Sequence, residues 1–274
     1  MNKTDYDAIQ NVAREIRVDI VKSVYFAGSG HPGGSLSSAD ILAVLYFHEM
    51  NIDPDDPQKT DRDRFVLSKG HACPVLYAAL AERGFFSKDE LWKLRSFEAM
   101  LQGHPSKKTT PGVEMSTGSL GQGFSSSIGM ALAARMDGNA RVYTLLGDGE
   151  LNEGLVWEAA MAAGHYKLDN LCVIVDWNGL QIDGKNDDVM RVTPVDEKFR
   201  SFGFNVIPID GHSIPDIINA FEAARGCKGM PTAVIAKTIK GKGVSFMENQ
   251  AGWHGKAPSK EEAALAVSEL GGEM

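Results

Sequence analysis

The sequence predicts an α/β fold with a mostly parallel sheet and helices on both of its faces. From residue 141 onwards, short apolar runs alternate with longer segments of helical period. The apolar runs carry few polar residues, which is typical of strands buried on both faces. Strands that alternate with helices pair in parallel, because each helix carries the chain back across the sheet. We therefore expect a parallel sheet that is covered on both sides.

The first half of the chain is predicted to be mainly helical. Apolar residues from Ile9 to Val24 recur at helical spacing, and Gly28 follows as a stop signal. We expect a serine-capped helix at 37–50 and a capping box from Ser87 to Glu90. A short buried strand begins at Phe65 and runs into a loop. The predicted helices of this half span 8–28, 37–50, 73–84, 87–97 and 124–136, with a long loop from 103 to 123.

The second half repeats a strand–helix rhythm. The predicted strands span 141–146, 171–177, 204–210 and 232–238. The predicted helices span 155–166, 194–203, 213–226 and 259–270, and the last of these begins with a capping box. Neither a repeat nor a linker-like stretch divides the chain, so we expect residues 1–274 to form a single domain.

Composition narrows the class of function. The chain has 274 residues and a net charge of −8, with scattered basic residues, which argues against binding to nucleic acid or anionic lipid. No apolar run reaches the length of a membrane span, and the start does not resemble a secretory signal. Three widely spaced cysteines are typical of a reducing compartment rather than of a disulfide framework or a zinc site. We expect a cytoplasmic protein.

An acidic, glycine-flanked turn, "GDGELNEG", follows the strand at 141–146. Such turns usually bind phosphate through backbone amides, yet acids repel phosphate. Asn178 ends the next strand, 30 residues after Asp148, a separation that fits one β-α-β crossover. A carboxylate and an amide oxygen at neighbouring strand ends suit Mg²⁺ or Ca²⁺, and the metal can in turn bind a diphosphate. The alternative is an acidic turn that only caps a helix.

Together with seven other motifs, this pattern is similar to the transketolase family, in which "GDG" followed by Asn about 30 residues later is the thiamine diphosphate signature. The matching motifs occur in the family's order: "SGHPGGSLS", "LSKGHACPVLYAAL", "QGHP", "STGSLGQGFSSSIGMALA", "GDGELNEGLVWEAAMAAG", "DWNGLQIDG", "DGHS", "KTIKGKG" and "WHGKAP". The resemblance covers the diphosphate-binding domain of the family and implies the thiamine diphosphate-binding fold.

The resemblance also implies roles for individual residues. Asp148, Asn178 and the carbonyl of Leu180 are expected to hold the metal. Three histidines in predicted loops are expected to face substrate as catalytic residues, because imidazole exchanges protons near neutral pH: His31, His104 and His254. The residues expected to bind the cofactor are His71, Gly118, Ser119, Leu120, Gly149, Asn178, Lys240 and His254. The histidines expected to be structural are His48, His165 and His212.

The resemblance further implies transfer of a two-carbon ketol unit from a ketose phosphate to an aldose phosphate. The activating glutamate and the phosphate-binding arginines of the family lie in a domain beyond this match. We therefore expect a split transketolase, a two-plus-two heterotetramer in which this N-terminal subunit joins a separate C-terminal subunit. The alternatives are the diphosphate-binding subunit of a 2-oxo-acid dehydrogenase, a deoxyxylulose-phosphate synthase fragment, or a binding remnant without turnover.

Overall fold

A five-stranded parallel sheet forms the centre of the computed structural model, which describes residues 3–138 and 140–274. The spatial order of the strands is β1-β2-β3-β7-β6, and a small antiparallel hairpin, β4–β5, follows β3. The strands are β1 (Arg64–Leu67), β2 (Val142–Gly147), β3 (Leu171–Trp177), β4 (Leu180–Gln181), β5 (Gly184–Lys185), β6 (Asn205–Asp210) and β7 (Thr232–Lys237).

Helices surround this sheet. The α-helices are α1 (Lys3–Ala27), α2 (Pro32–Leu36), α3 (Ala39–Val44), α4 (Cys73–Arg83), α5 (Gln122–Asp137), α6 (Gly154–His165), α7 (Asn186–Val189), α8 (Val195–Ser201), α9 (Ile214–Gly226) and α10 (Lys260–Glu269). A π-helical turn at Leu45–Glu49 extends α3, and the 3₁₀ turns are Gly70–Ala72, Lys88–Lys93, Gly149–Asn152 and Ala251–Trp253. None of the described helices is long and apolar enough to cross a membrane.

Both faces of the sheet are buried, as predicted. Along β2, Tyr143 and Leu145 pack into the core under α1, α3, α4, α9 and α10. Their neighbours Val142 and Leu146 pack into the opposite core, under α5, α6 and α8. Each fully buried aliphatic side chain contributes roughly 1.5–3 kcal/mol relative to exposure. The layered α/β fold class is thereby confirmed.

Several helix ends follow from local sequence. Gly28 ends α1 in the left-handed conformation, with φ of +61°, which costs glycine little. Ser259 and Glu262 form the predicted capping box at α10, in which each side chain bonds the backbone N–H of the other residue. These ends depend on neighbours within a few residues, so the sequence alone predicts them.

Two predicted helix starts are wrong. Ser87 accepts a hydrogen bond from the backbone N–H of Asp89 rather than of Glu90, and it begins a short 3₁₀ turn instead of an α-helix. The helix predicted at 37–50 forms as α3 and the π-helical turn, which together span 39–49, but its start differs from the predicted serine cap. Ser38 precedes α3 without capping it, because its hydroxyl donates to the Gly34 carbonyl instead.

Candidate active site

The carboxyl ends of the central strands border a cavity of about 340 Å³. Parallel α/β sheets bind ligands at this edge. The cavity is lined by ten of the residues implied by the resemblance: His31, His71, Gly118, Leu120, Asp148, Gly149, Asn178, Leu180, Lys240 and His254. Ser119 and His104 lie outside the lining. Sequence motifs far apart in the chain therefore meet in one place.

Asp148 lies at the end of β2 and is almost fully buried. One carboxylate oxygen accepts from the Gly149 amide at 2.9 Å. The other accepts from the Gly179 amide at 2.6 Å and from Asn186 Nδ2 at 2.9 Å. Burial, together with the nearby carboxylate of Asp176, raises the pKa of Asp148 to about 6. The aspartate caps the turn, as the alternative interpretation requires, yet it also faces the cavity.

The neighbouring strand brings Asn178 and Leu180 to the same edge. Strands β2 and β3 pair in parallel with Gly147 opposite Asp176, so the two predicted ligand turns are adjacent. Asn178 Oδ1 accepts from the Leu180 amide at 3.1 Å, and the Leu180 carbonyl accepts from Lys240 Nζ at 3.3 Å. One carboxylate, one amide oxygen and one carbonyl thus border the cavity, a donor set suited to a hard cation.

This oxygen set differs from clusters of ionisable ligands. Among the described residues, no group of three or more His, Cys, Asp or Glu side chains is placed to hold a metal ion. A site with a single carboxylate takes part of its coordination from the ligand, as Mg²⁺ does when it bridges a protein and phosphate groups.

Three imidazole rings form a cluster on one wall of the cavity. The ring centroids of His31 and His71 are 5.2 Å apart, those of His31 and His254 are 5.4 Å apart, and those of His71 and His254 are 5.1 Å apart. Burial is the main cause that lowers the pKa of His31 to about 4, of His71 to about 2 and of His254 to about 3. The rings are therefore neutral near pH 7 and can both donate and accept hydrogen bonds.

Lys240 connects this cluster to the acidic turn. Its Nζ lies 3.0 Å from His254 Nδ1, and a charged lysine makes that nitrogen the acceptor, which leaves the ring proton on Nε2. Burial lowers the pKa of Lys240 to about 8, although Asp148 opposes the shift. On the same wall, His31 Nδ1 is buried and has no hydrogen-bond partner among the described residues. An unpaired nitrogen of a cavity-lining histidine is free to bind a ligand.

His104 and Ser119 lie just outside the cavity, and both are exposed. The His104 ring packs against Gly118, where an added Cβ would come within 2.9 Å of the His104 ring. Burial, with the charge of Arg95, lowers the pKa of His104. His104 thus adjoins the cavity through its contact with Gly118. Ser119 lies between Gly118 and Leu120, which line the cavity.

The sequence analysis missed a buried ion pair at the cavity, Lys69 and Asp176, of which Lys69 belongs to the lining. Lys69 Nζ lies 2.5 Å from Asp176 Oδ2, and both side chains are nearly inaccessible. Burial would raise the pKa of Asp176, but the charge of Lys69 and hydrogen bonds from Lys69, Ser37 and Thr238 hold it below its ordinary value. Glu150 accepts hydrogen bonds from Ser68 and from the amides of Gly121 and Gly147. The available signal was a charge inside an apolar run, as in "LCVIVDW" and "FVLSKG".

His212 is structural, as predicted. Its Nε2 accepts from the Ile239 amide at 2.8 Å, so Nδ1 carries the proton and donates to Asp40 at 2.8 Å. Asp40 also pairs with Arg17 through two hydrogen bonds. This network lies away from the cavity and ties α1 and α3 to the loop after β7.

Comparison with known proteins agrees with the geometry. The family described as "Transketolase, thiamine diphosphate binding domain" matches residues 8–273. The chain is 45% identical over 263 residues to a 6-deoxy-6-sulfo-D-fructose transketolase subunit from Clostridium sp., covering 96% of each protein. It is 44% identical over 255 residues to an apulose-4-phosphate transketolase subunit from Phocaeicola vulgatus, covering 93% of this chain and 90% of that protein.

Longer transketolases match over part of their length. Human transketolase is 44% identical over 268 residues, which is 96% of this chain and 42% of the human protein. The solved transketolase of Leishmania mexicana superposes with a TM-score of 0.91 and 34% identity, covering 97% of this chain and 41% of that one. The Campylobacter jejuni transketolase gives a TM-score of 0.89 and 35% identity, covering 100% of this chain and 44% of that one. The chain therefore belongs to the transketolase family, as a thiamine diphosphate-binding N-terminal subunit.

Proposed function

We propose that the cavity binds thiamine diphosphate through a divalent cation, Mg²⁺ or Ca²⁺, held by Asp148, Asn178 and the Leu180 carbonyl. The buried carboxylate of Asp148 supports this proposal, because its hydrogen bonds come from neutral amides and its pKa stays raised although the charge of Lys240 opposes the shift. A cation next to Asp148 would compensate the charge of this carboxylate and bind the diphosphate on its other side.

The remaining cavity residues fit the rest of the cofactor. Lys240 brings a buried positive charge close to the proposed cation site, where it would bind a diphosphate oxygen. His71, Gly118 and Leu120 line the same cavity as the acidic turn. Gly149, whose amide now donates to Asp148, would turn toward the diphosphate, and Ser119 would act from the rim.

The chemistry follows from these residues and the group they hold. When bound, thiamine diphosphate supplies a carbanion that can attack the ketose carbonyl. We assign His31, His104 and His254 to the substrate hydroxyls and to the developing oxyanion. A neutral imidazole can donate to an alkoxide and accept from a hydroxyl, and the lowered pKa values of His31 and His254 favour this form.

We infer further that a separate C-terminal subunit completes the enzyme, in a heterotetramer of two plus two chains, and that residues 1–274 form one domain. The relatives named as subunits support a second polypeptide. All three are named for sugars that carry a sulfonate or a phosphate, and the phosphate in two of these names favours sugar phosphates as substrates. Three unpaired cysteines favour a cytoplasmic location.

The rival functions are less well supported. A 2-oxo-acid dehydrogenase subunit or a deoxyxylulose-phosphate synthase would share the acidic turn, but the histidine cluster of His31, His71 and His254 suits a polyhydroxylated sugar. A remnant without turnover would not need to keep the orphaned His31 Nδ1 and the buried Asp148 at one cavity.

Reconstitution tests the proposal. The purified chain is mixed with the product of the adjacent gene, thiamine diphosphate and Mg²⁺, and two-carbon transfer from a ketose phosphate is assayed. We expect activity from the mixture and none from either protein alone. Full transferase activity from this chain by itself would refute the two-subunit enzyme, because no residue here is assigned as the activating glutamate.

A further inference from the structure

A buried ion pair at the cavity, of which Lys69 belongs to the lining, connects the segments that carry the site. Lys69 follows β1, and Asp176 lies near the end of β3; their side chains are 3% and 0% exposed. Lys69 Nζ also donates to the Gly34 carbonyl at 2.9 Å and to Ser38 Oγ at 2.8 Å. The pair thus joins two strand ends to the segment that follows His31.

Asp176 is saturated with donors from several parts of the chain. Its Oδ2 accepts from Ser37 at 2.6 Å and from Lys69, while its Oδ1 accepts from Thr238 after β7. The same Oδ2 accepts from Asn178 Nδ2 at 3.2 Å. Because the nitrogen of the Asn178 side-chain amide donates to Asp176, the oxygen of this amide points away from Asp176.

Lys69 also supports the acidic turn from below. The Cβ that glycine lacks at 147 would lie 3.5 Å from Lys69 Cδ, so the lysine stem fills the space under the turn that carries Asp148. One buried pair therefore underlies both side-chain ligands of the proposed cation.

We infer that Lys69 and Asp176 are positioning residues of the cation site. Asp176 fixes the orientation of the Asn178 amide, and Lys69 fixes the position of the turn at Gly147. This inference rests on the proposed function. Stability alone is a poor reason for such a pair, since apolar residues of similar volume often replace a buried ion pair without loss of stability. Partners behind metal ligands, in contrast, typically tune metal affinity.

The test measures the Mg²⁺ requirement for cofactor binding. Full-length chain, mixed with its partner subunit, is dialysed to equilibrium against thiamine diphosphate over a series of Mg²⁺ concentrations, and melting temperatures are recorded in parallel. The variants are Asp176→Asn, Lys69→Met and the double variant Lys69→Met/Asp176→Leu. We expect the half-saturating Mg²⁺ concentration to rise by about ten- to a hundredfold in all three.

The double variant separates positioning from folding. Lys69→Met leaves Asp176 buried without its partner and should lower the melting temperature. The double variant removes this buried charge and should recover part of the loss, although the Ser37 and Thr238 hydroxyls lose an acceptor. Its Mg²⁺ requirement should stay raised, because Asn178 still lacks the acceptor for its amide nitrogen.

A matched control is the buried pair of Arg62 and Glu114, joined by hydrogen bonds of 2.7 and 2.8 Å and absent from the cavity lining. Arg62→Met/Glu114→Gln should change the melting temperature without changing the Mg²⁺ requirement. A wild-type requirement in the Lys69 and Asp176 variants, or an equal rise in the control, would overturn the inference. If the wild-type proteins bind no thiamine diphosphate at any Mg²⁺ concentration, the proposed function fails and the inference fails with it.

Discussion

Burial shifts the pKa values of single residues at the cavity. Asp148 is buried with a raised pKa, while His31, His71 and His254 are buried with lowered ones. In both cases the neutral form is favoured, because charge is costly away from water. A cation that binds beside Asp148 and compensates the charge of its carboxylate gains affinity from the same burial.

The histidine assignments predict a separation of activity from stability. Replacing His31, His104 or His254 by Ala should lower turnover of the reconstituted enzyme by at least about tenfold, or ~1.4 kcal/mol of barrier, with little change in melting temperature. His212→Ala serves as the control. It should lower the melting temperature, because Asp40 and the Ile239 amide each lose a partner. Normal specific activity with a large loss of stability in the first three would return them to a structural role.

Asp148 should be essential for cofactor binding. Asp148→Ala removes the only carboxylate of the proposed ligand set, so calorimetry with Mg²⁺ and the partner subunit should detect no thiamine diphosphate binding. Glu153→Ala is the control in the same acidic turn, where Glu153 is exposed. We expect it to bind normally. Unchanged affinity in the Asp148 variant would contradict the metal-bridged site.

At the scale of elements, the capping box of α10 should have a measurable effect on stability. Ser259→Ala removes the acceptor for the Glu262 amide, so urea unfolding should show a loss of about 1 kcal/mol. Ser87→Ala should cost less, since Ser87 caps only a short 3₁₀ turn through a 3.3 Å bond. Equal losses in both variants would show that the box adds nothing to a single cap.

The contact between α1, α4 and the turn after α4 should respond to pH. Asp19 lies against Glu82 and Lys88, and its pKa rises to about 7, mainly through burial, with Lys88 opposing the shift and Glu82 adding to it. Because folded Asp19 holds its proton more tightly than unfolded Asp19, its stabilising contribution is complete below pH 3.8. That contribution is lost as the pH rises through about 7.

Asp19→Asn tests this dependence. The variant has no proton to lose, so its unfolding free energy should exceed that of the wild type by roughly 2 kcal/mol at pH 8. The difference should shrink toward zero near pH 4. Denaturant unfolding at constant ionic strength measures both values, and a difference that does not vary with pH would show that the Asp19 proton is not involved.

For the whole molecule, the surface near the cavity predicts where the partner binds. Met190 follows α7 near the acidic turn and is 62% exposed, whereas Met230 precedes β7 at the opposite edge of the sheet and is 41% exposed. Met190→Asp should weaken assembly with the proposed partner subunit, measured by light scattering as a loss of the mass of the proposed heterotetramer, because the charge would have to be desolvated. Met230→Asp should assemble normally. The same mass for both variants would place the partner elsewhere.

The sequence by itself determined the local features and the placement of the site. Apolar runs predicted the buried strands, Gly28 and Ser259 predicted helix ends, and the spacing of Asp148 and Asn178 predicted neighbouring strand ends. These inferences succeed because they depend on short-range geometry and on the edge at which parallel strands end.

Only the tertiary structure decided the rest. It placed β7 between β3 and β6, paired Lys69 with Asp176 across 107 positions, and turned the Ser38 hydroxyl away from its helix. It also left His104 and Ser119 outside the cavity lining. A buried charge requires a partner of opposite charge, but the residues next to it in sequence do not identify which distant group this partner is. The packing of the strands and helices determines which two charged residues form the ion pair.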